Sequence, residues 1–226
     1  MTRRKFERPT GWRKPRILFI ISAEGEKTEP QYFQRFNNEQ VTVILTAHLG
    51  GKDNIPPQVL KRMEKELSRR DLRPGDEAWL VVDQDNWTNE QQQPLFDWVN
   101  KADNRGLARS APCFEYWLLL HFEEGKNVST TRQCTERLKK YLSGYTKGLP
   151  AGAFSADQIQ QALARAKNRH THHPAPRCTF WWTTFYRPSN VGQNKSPQNN
   201  PPCCGFCRRS SASVSWMSVH SLMRAL

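Results

Sequence analysis

Two short apolar runs, each leading into acidic residues, place the strongest constraint on the fold. One covers residues 17–21 (ILFII) and leads to Glu24, and the other covers residues 78–82 (AWLVV) and leads to Asp83 and Asp85. Continuous apolar runs of this length are typical of strands buried on both faces, as in a parallel sheet. Ligands of such sheets bind beyond the carboxyl ends of the strands, so the acids are predicted to meet at one edge of the sheet.

The predicted elements alternate between strand and helix along the first half of the chain. This order, βαβαβαβα, predicts an α/β fold with a parallel sheet and right-handed crossovers. Strands are predicted at residues 17–21, 41–45, 78–82 and 107–110, an apolar helix at residues 112–122, and two further helices at residues 129–143 and 155–169.

Local signals predict where several helices begin and end. Thr28 with Gln31 three residues later forms a capping-box pattern, which predicts a helix that begins just after Thr28. Pro94 is predicted to start the third helix and Gly106 to end it.

The apolar helix that follows Pro112 has a side that is predicted to be buried. The spacing of its large apolar residues is helical and needs no ligand to explain it. We predict a core role for Phe114, Trp117, Leu118 and Phe122, a packed or capped role for His121, and a small buried thiol at Cys113.

The net charge of +13 belongs mainly to the two ends of the chain. Residues 1–16 carry seven Lys/Arg and one Glu, and residues 170–226 carry six Lys/Arg and no acid, which leaves +1 for residues 17–169. A basic arm over residues 1–15 would suit nucleic-acid phosphates, although a solvated terminus explains the same charge.

The six cysteines give little support for a metal site. Only Cys204 and Cys207 form a C-x-x-C pair, and no second pair stands at zinc spacing. No apolar run approaches the length of a membrane helix, and the first residues lack the apolar centre of a signal peptide. We therefore expect a cytoplasmic protein that does not enter the membrane.

The acids after the two runs suit a divalent cation. Asp83 and Asp85 are two positions apart, so in a regular strand their side chains point the same way. Carboxylate oxygens are the ligands that Mg²⁺ prefers, and Glu24 would join the same cation or act as a general base. On spacing alone, ordinary turn or capping acids are an equally good interpretation.

Three segments in order resemble motifs of the RloB family. They are residues 24–30 (EGEKTEP), residues 83–87 (DQDNW) and residues 110–122 (SAPCFEYWLLLHF). The resemblance covers about residues 14–169. The family is found in bacterial phage-defence and abortive-infection loci and is regarded as having a TOPRIM-like domain.

The resemblance implies roles for individual residues. A glutamate after the first strand and a D-x-D segment after the third bind magnesium in that fold, which assigns Glu24, Asp83 and Asp85 to metal and catalytic roles. Glu115 matches a family acid that would brace the site or cap its own helix. Lys27 would meet a phosphate or screen nearby acids.

The tail departs from the family pattern. From residue 170 onward there is no Asp or Glu in 57 residues, and no helix or strand pattern is evident. Codons compatible with residues 173–186, read in a shifted frame, permit Pro-Ser-Thr-Thr-Val-His-x-Leu-Val-Asp-x-x-Leu, which resembles the family ending. We therefore hypothesise a frameshift near residues 170–173, and we expect an irregular tail over residues 170–226 after a domain at residues 16–169.

These observations predict a Mg²⁺-dependent (or Mn²⁺-dependent) nuclease in anti-phage defence, acting on nucleic acid. The resemblance also implies an ATPase partner. Two alternatives stay open: a non-catalytic interaction subunit of a defence complex, and a metal-dependent phosphotransfer enzyme with a small substrate.

Overall fold

A computed structural model describes residues 16–48, 55–83, 87–146, 148–150 and 152–172. The order of elements agrees with the predicted alternation of strands and helices. The elements are β1 (Ile17–Ala23), α1 (Thr28–Gln34), β2 (Val41–Leu45), α2 (Pro56–Leu67), β3 (Glu77–Asp83), α3 (Asn89–Val99), β4 (Arg105–Ser110), α4 (Phe114–Leu120), α5 (Thr131–Tyr141) and α6 (Ala156–His172).

The four strands form one parallel sheet in the order β2-β1-β3-β4, which confirms the predicted α/β class. Ala23 at the end of β1 pairs with Val81 of β3, and Asp83 at the end of β3 pairs with Ser110 of β4. The carboxyl ends of β1, β3 and β4 therefore meet at one edge, as the two acid-terminated runs predict.

Helices cover both faces of the sheet, so the strands are apolar on both sides. On one face, Ile20 of β1 and Leu80 of β3 pack with residues of α2 and α3. On the other face, Ile21 and Val81 belong to a larger core shared with α1, α4, α5 and α6. Burial on both faces explains why these strands read as continuous apolar runs.

The prediction of a buried side for the apolar helix is confirmed, since all seven residues of α4 are buried. His121 directly follows the helix and is 1% exposed, and Cys113 directly precedes it and is 2% exposed. Phe122 is partly buried against the same core.

Two predicted helix starts are wrong. The N-cap of α1 is Lys27, without a side-chain cap, and Thr28 is already helical. The third helix begins at Asn89, well before Pro94, because Thr88 and Gln91 form a capping box that satisfies two backbone N–H groups there.

Gly106 lies within β4 and does not end the third helix. A Cβ at this position would approach the Trp79 ring to 2.1 Å. The glycine is therefore required by the tryptophan on the neighbouring strand rather than by a turn.

We expect Gly106→Ala to lower the free energy of unfolding by about 1–3 kcal/mol, because the new methyl group must displace a packed indole ring. Urea unfolding measures the change. Gly148→Ala is the matched control, since the nearest atom to its added Cβ is 3.9 Å away. Equal stabilities of the two variants would contradict the expectation.

Candidate functional site

Glu24 connects the carboxyl ends of two neighbouring strands. Its backbone N–H donates to the Val81 carbonyl oxygen over 2.8 Å. Its side-chain Oε2 accepts from the backbone N–H of Asp83 over 3.0 Å. Because Glu24 is 9% exposed, its carboxylate is held at the end of β3 rather than extended into solvent.

Asp83 is the last residue of β3 and is partly buried. Its strand partner, Ser110, is fully buried, so the Asp83 backbone sits firmly in the sheet. The predicted site residues Glu24 and Asp83 thus come together at one edge. Asp85, the third predicted ligand, lies outside the described residues.

Within the part of the chain that the structure describes, no three His, Cys, Asp or Glu side chains form a group that could hold a metal ion. This part includes Glu24 and Asp83 but not Asp85. The described residues therefore contribute two of the three predicted ligands.

The turn between β1 and α1 is closed by a second acid. Glu29 lies in the first turn of α1, and its Oε1 accepts from the Gly25 N–H over 3.1 Å. A Cβ at Gly25 would lie 2.0 Å from the Glu29 carboxylate, so a side chain at this position would displace that carboxylate from the turn. Glu29 is committed to this turn, whereas Glu26 and Lys27 are exposed.

A chain of buried polar groups, not foreseen from the sequence, supports the end of β1. Ser22 Oγ donates to the Val59 carbonyl over 2.7 Å and accepts from Thr46 Oγ1 over 2.9 Å. Arg62 Nη2 donates to the Ala23 carbonyl over 2.6 Å. This places a buried guanidinium directly before Glu24 in the sheet, where it offsets some of the acidic charge.

The sequence gives little indication that Arg62 is buried. It lies in an amphipathic helix where cations usually face solvent, and only the packing of α2 against β1 buries it. Ser22 is easier to notice, because it is a polar residue directly after the apolar run at residues 17–21.

A third acid lies near this edge. Glu115 stands in the first turn of α4, is 9% exposed, and accepts from the Tyr145 hydroxyl over 3.2 Å. Its two predicted roles were to brace the site or to cap its helix. The contact with Tyr145 ties it to another element of the fold, and Tyr145 itself was not predicted.

The surroundings of Cys113 favour the protonated form of its thiol. A hydrogen bond with Cys134 and burial are the main causes that raise its pKa far above the ordinary value, and Glu115 and Asp83 raise it further. Both thiols are free and buried. A protonated, buried thiol is a poor nucleophile. The prediction of a small buried thiol at Cys113 is confirmed.

Asp76 lies at the opposite edge of the sheet, and its structural role was also not predicted. Its Oδ1 accepts from the Leu18 N–H over 2.8 Å, and its Oδ2 accepts from the Arg73 N–H over 2.9 Å. With both oxygens on backbone groups, Asp76 aligns the start of β1 with β3. It is an acid of the fold rather than of the candidate site.

None of the described helices combines the length and apolar character that crossing a membrane requires.

Comparison with known proteins identifies the family. Searches of curated proteins and of solved structures give no match. The family model described as RloB-like protein matches residues 19–189, which is more than half of the chain and extends beyond the end that the motifs predicted at residue 169. The matched range contains the acid-bearing ends of β1 and β3 and the whole of α4, and the chain belongs to the RloB-like family.

Proposed function

We propose that this protein is a metal-dependent nuclease with a TOPRIM-like domain that acts in bacterial anti-phage defence. The observation that carries the proposal is the contact between the Glu24 carboxylate and the Asp83 backbone. It brings acids 59 positions apart in the chain to one point at the ligand-binding edge of a parallel sheet.

The donor set suits a hard divalent cation. Glu24 and Asp83 offer carboxylate oxygens, and Asp85 adds a third in the same short segment. We propose that these three residues hold Mg²⁺ or Mn²⁺. When bound, such a cation would lower the pKa of water and offset the charge on a phosphodiester.

Hydrogen bonds within the protein hold Glu24 and its backbone in place at this edge without any ligand. The Asp83 N–H fixes the Glu24 carboxylate, and the Arg62 guanidinium fixes the backbone just before it. A fixed carboxylate loses little entropy when a cation or a water proton reaches it. Glu24 therefore serves either as a ligand or as the group that takes a proton from water.

The proposed partners are a nucleic acid and an ATPase. The basic residues at both ends of the chain would favour a polyanionic substrate. An ATPase partner follows only from the family resemblance. We propose that the protein acts on nucleic acid together with this ATPase, as one defence complex in the cytoplasm.

The direct test is cleavage by the purified full-length chain. We expect plasmid DNA or RNA to be cut with Mg²⁺ present and left intact when EDTA removes the cation, because the carboxylates alone cannot offset phosphate charge. Gel analysis of both polymers, with nucleotides assayed in parallel, distinguishes a nuclease from an enzyme of small substrates.

Two results would contradict the nuclease proposal. Turnover of nucleotides alone would favour phosphotransfer chemistry. No turnover by the chain with its ATPase partner present would favour a non-catalytic interaction subunit.

The tail hypothesis has a separate test. Residues 173–226 lie outside the described residues, and the family match continues to residue 189. Sequencing the coding DNA decides whether the reading frame changes near residues 170–173. An intact frame shared with close relatives as far as residue 226 would refute the hypothesis.

A further inference from the structure

The positive charge within residues 17–169 is concentrated in the last two helices. Residues 131–169, which contain α5 and most of α6, carry eight Lys/Arg and two acids, or +6. Residues 17–130 carry thirteen Lys/Arg and eighteen acids, or −5. The small net charge of residues 17–169 is therefore the sum of two regions of opposite sign, and the positive one would attract a polyanion.

The excess positive charge of α5 lies at its carboxyl-terminal end. Three acids on or near this helix each pair with an arginine. The pairs are Glu123 with Arg137, Glu124 with Arg165, and Glu136 with Arg132. Lys139 and Lys140 in the last turn are exposed, and neither forms an ion pair with a residue that the structure describes.

Tyr141, the last residue of α5, presents a fixed aromatic ring beside these lysines. The ring stacks on Phe122 with centroids 4.9 Å apart and planes at 3°. Its hydroxyl donates to Glu123 Oε2 over 2.9 Å. Tyr141 is nevertheless 44% exposed, and no other large apolar side chain among the described residues is exposed. The exposed part of the ring is therefore the face away from Phe122.

The end of α5 is tied to the turn that follows Glu24. Tyr145, four residues after Tyr141, is buried, and its hydroxyl lies 3.2 Å from Thr28 Oγ1. Thr28 begins α1 and follows Glu24 by four residues. This buried contact keeps the end of α5 in a constant relation to the turn after β1.

We propose that the end of α5 binds single-stranded nucleic acid, with Lys139 and Lys140 on phosphates and Tyr141 stacked on a base. Aromatic faces beside basic side chains hold single strands of any sequence, because every base has a flat face. The inference rests on the proposed function for the kind of polymer, and it narrows that polymer to single strands.

Charge argues against the chain's own tail as the occupant of this surface. Residues 170–226 carry six Lys/Arg and no acid, so Lys139 and Lys140 would repel them. A second copy of the chain, through its acidic residues, and an anionic lipid surface are the other occupants that charge would favour. Each of them predicts a different result for Tyr141→Ala.

Tyr141→Ala removes the ring and tests stacking. Fluorescence anisotropy in EDTA, with a labelled single strand of about eight nucleotides, should show binding at least about 5-fold weaker than for the wild type. Tyr141→Phe is the matched control, because it keeps the ring and loses only the bond to Glu123, and its affinity should stay within about 2-fold. A duplex should bind both variants equally, since its bases are already stacked. The basic ends of the chain are the same in every variant, so the differences report on α5.

A lysine pair tests the phosphate contacts and does not depend on how the Tyr141 variants fold. Combining Lys139→Gln with Lys140→Gln should make the slope of log affinity against log salt shallower by about 1.4, at about 0.7 for each phosphate contact to a single strand. The control combines Lys61→Gln with Lys65→Gln, which removes the same charge from exposed positions of α2 on the other face of the sheet.

Four results would overturn the inference. They are wild-type affinity of Tyr141→Ala for the single strand, an equal change of salt slope in the two lysine pairs, a loss by Tyr141→Ala on phosphatidylserine vesicles alone, and self-association without nucleic acid that Tyr141→Ala abolishes. The third would favour a lipid surface, and the fourth would favour a second copy.

Binding in EDTA is measured without cleavage, so this inference and the proposed function can fail separately. If the variants behave as expected but Mg²⁺ gives no cleavage by the wild type, only the nuclease proposal is wrong. If the wild type cleaves single strands and Tyr141→Ala binds them as tightly as the wild type does, only the role of α5 is wrong.

Discussion

Asp83→Asn is expected to lower Mg²⁺-dependent cleavage at least about 100-fold while the protein stays folded. Loss of a group that merely orients a metal ligand costs up to about 100-fold, so loss of a ligand should cost no less. Folding should be unaffected because the backbone N–H that binds Glu24 is retained, and removing one of two neighbouring negative charges relieves repulsion.

Two measurements check this expectation. Initial cleavage rates give the catalytic loss, and thermal unfolding with and without Mg²⁺ gives cation binding. Mg²⁺ should raise the Tm of the wild type and leave that of Asp83→Asn unchanged, since a ligand stabilises only the state that binds it.

Asp103→Asn is the matched control for the charge change. Asp103 is exposed and lies in the turn before β4, at the amino edge of the sheet. The Asp103→Asn variant should cleave at the wild-type rate. Equal rates for the wild type and Asp83→Asn would remove Asp83 from the site.

Lowering the pH from 6.5 to 4 should reduce the free energy of unfolding by about 3 kcal/mol through His121 alone. Burial lowers the pKa of His121 from 6.5 to about 4. The unfolded chain therefore binds more protons than the folded chain between these values. The stability is fully present above pH 6.5 and is lost as the pH falls through about 4.

The surroundings of His121 explain why it stays neutral. Its Nδ1 lies 3.0 Å from the Trp117 carbonyl oxygen, which only accepts, so Nδ1 carries the hydrogen. Its Nε2 lies 3.2 Å from the Tyr32 hydroxyl and accepts from it. Arg165 and Arg35 also lower the pKa, because a second proton would add a cation near two others.

Urea unfolding between pH 4 and pH 7.5 measures this dependence, and His121→Asn is the informative variant. The asparagine amide can still donate to the Trp117 carbonyl, but it does not titrate. We expect lower stability at pH 7.5, by about 1–3 kcal/mol, because the buried Tyr32 hydroxyl loses its acceptor. We also expect a flatter pH dependence, and an unchanged slope would show that other groups cause the acid lability.

Local patterns were sufficient to predict the α/β class and the edge of the sheet where the acids lie. An apolar run shows burial on both faces without any knowledge of the partner strands, as β1 and β3 illustrate. Helix starts were predicted less well. Thr28 resembled a cap by spacing, but its hydroxyl bonds to Tyr145, a residue 117 positions away.

The pattern of apolar runs and acids along the chain is enough to predict a parallel sheet with Glu24 and Asp83 at its carboxyl edge. A strand that is buried on both faces has apolar residues at successive positions, and this can be recognised without knowing its partner strands. The partners of those acids depend on packing. Glu24 is held by a backbone group 59 positions away, and Glu115 by a phenol 30 positions away. Hydrogen bonds between residues so far apart produce no repeating pattern in the sequence. The contacts of Arg62 and Tyr145 are therefore known only from the way the helices pack on the sheet.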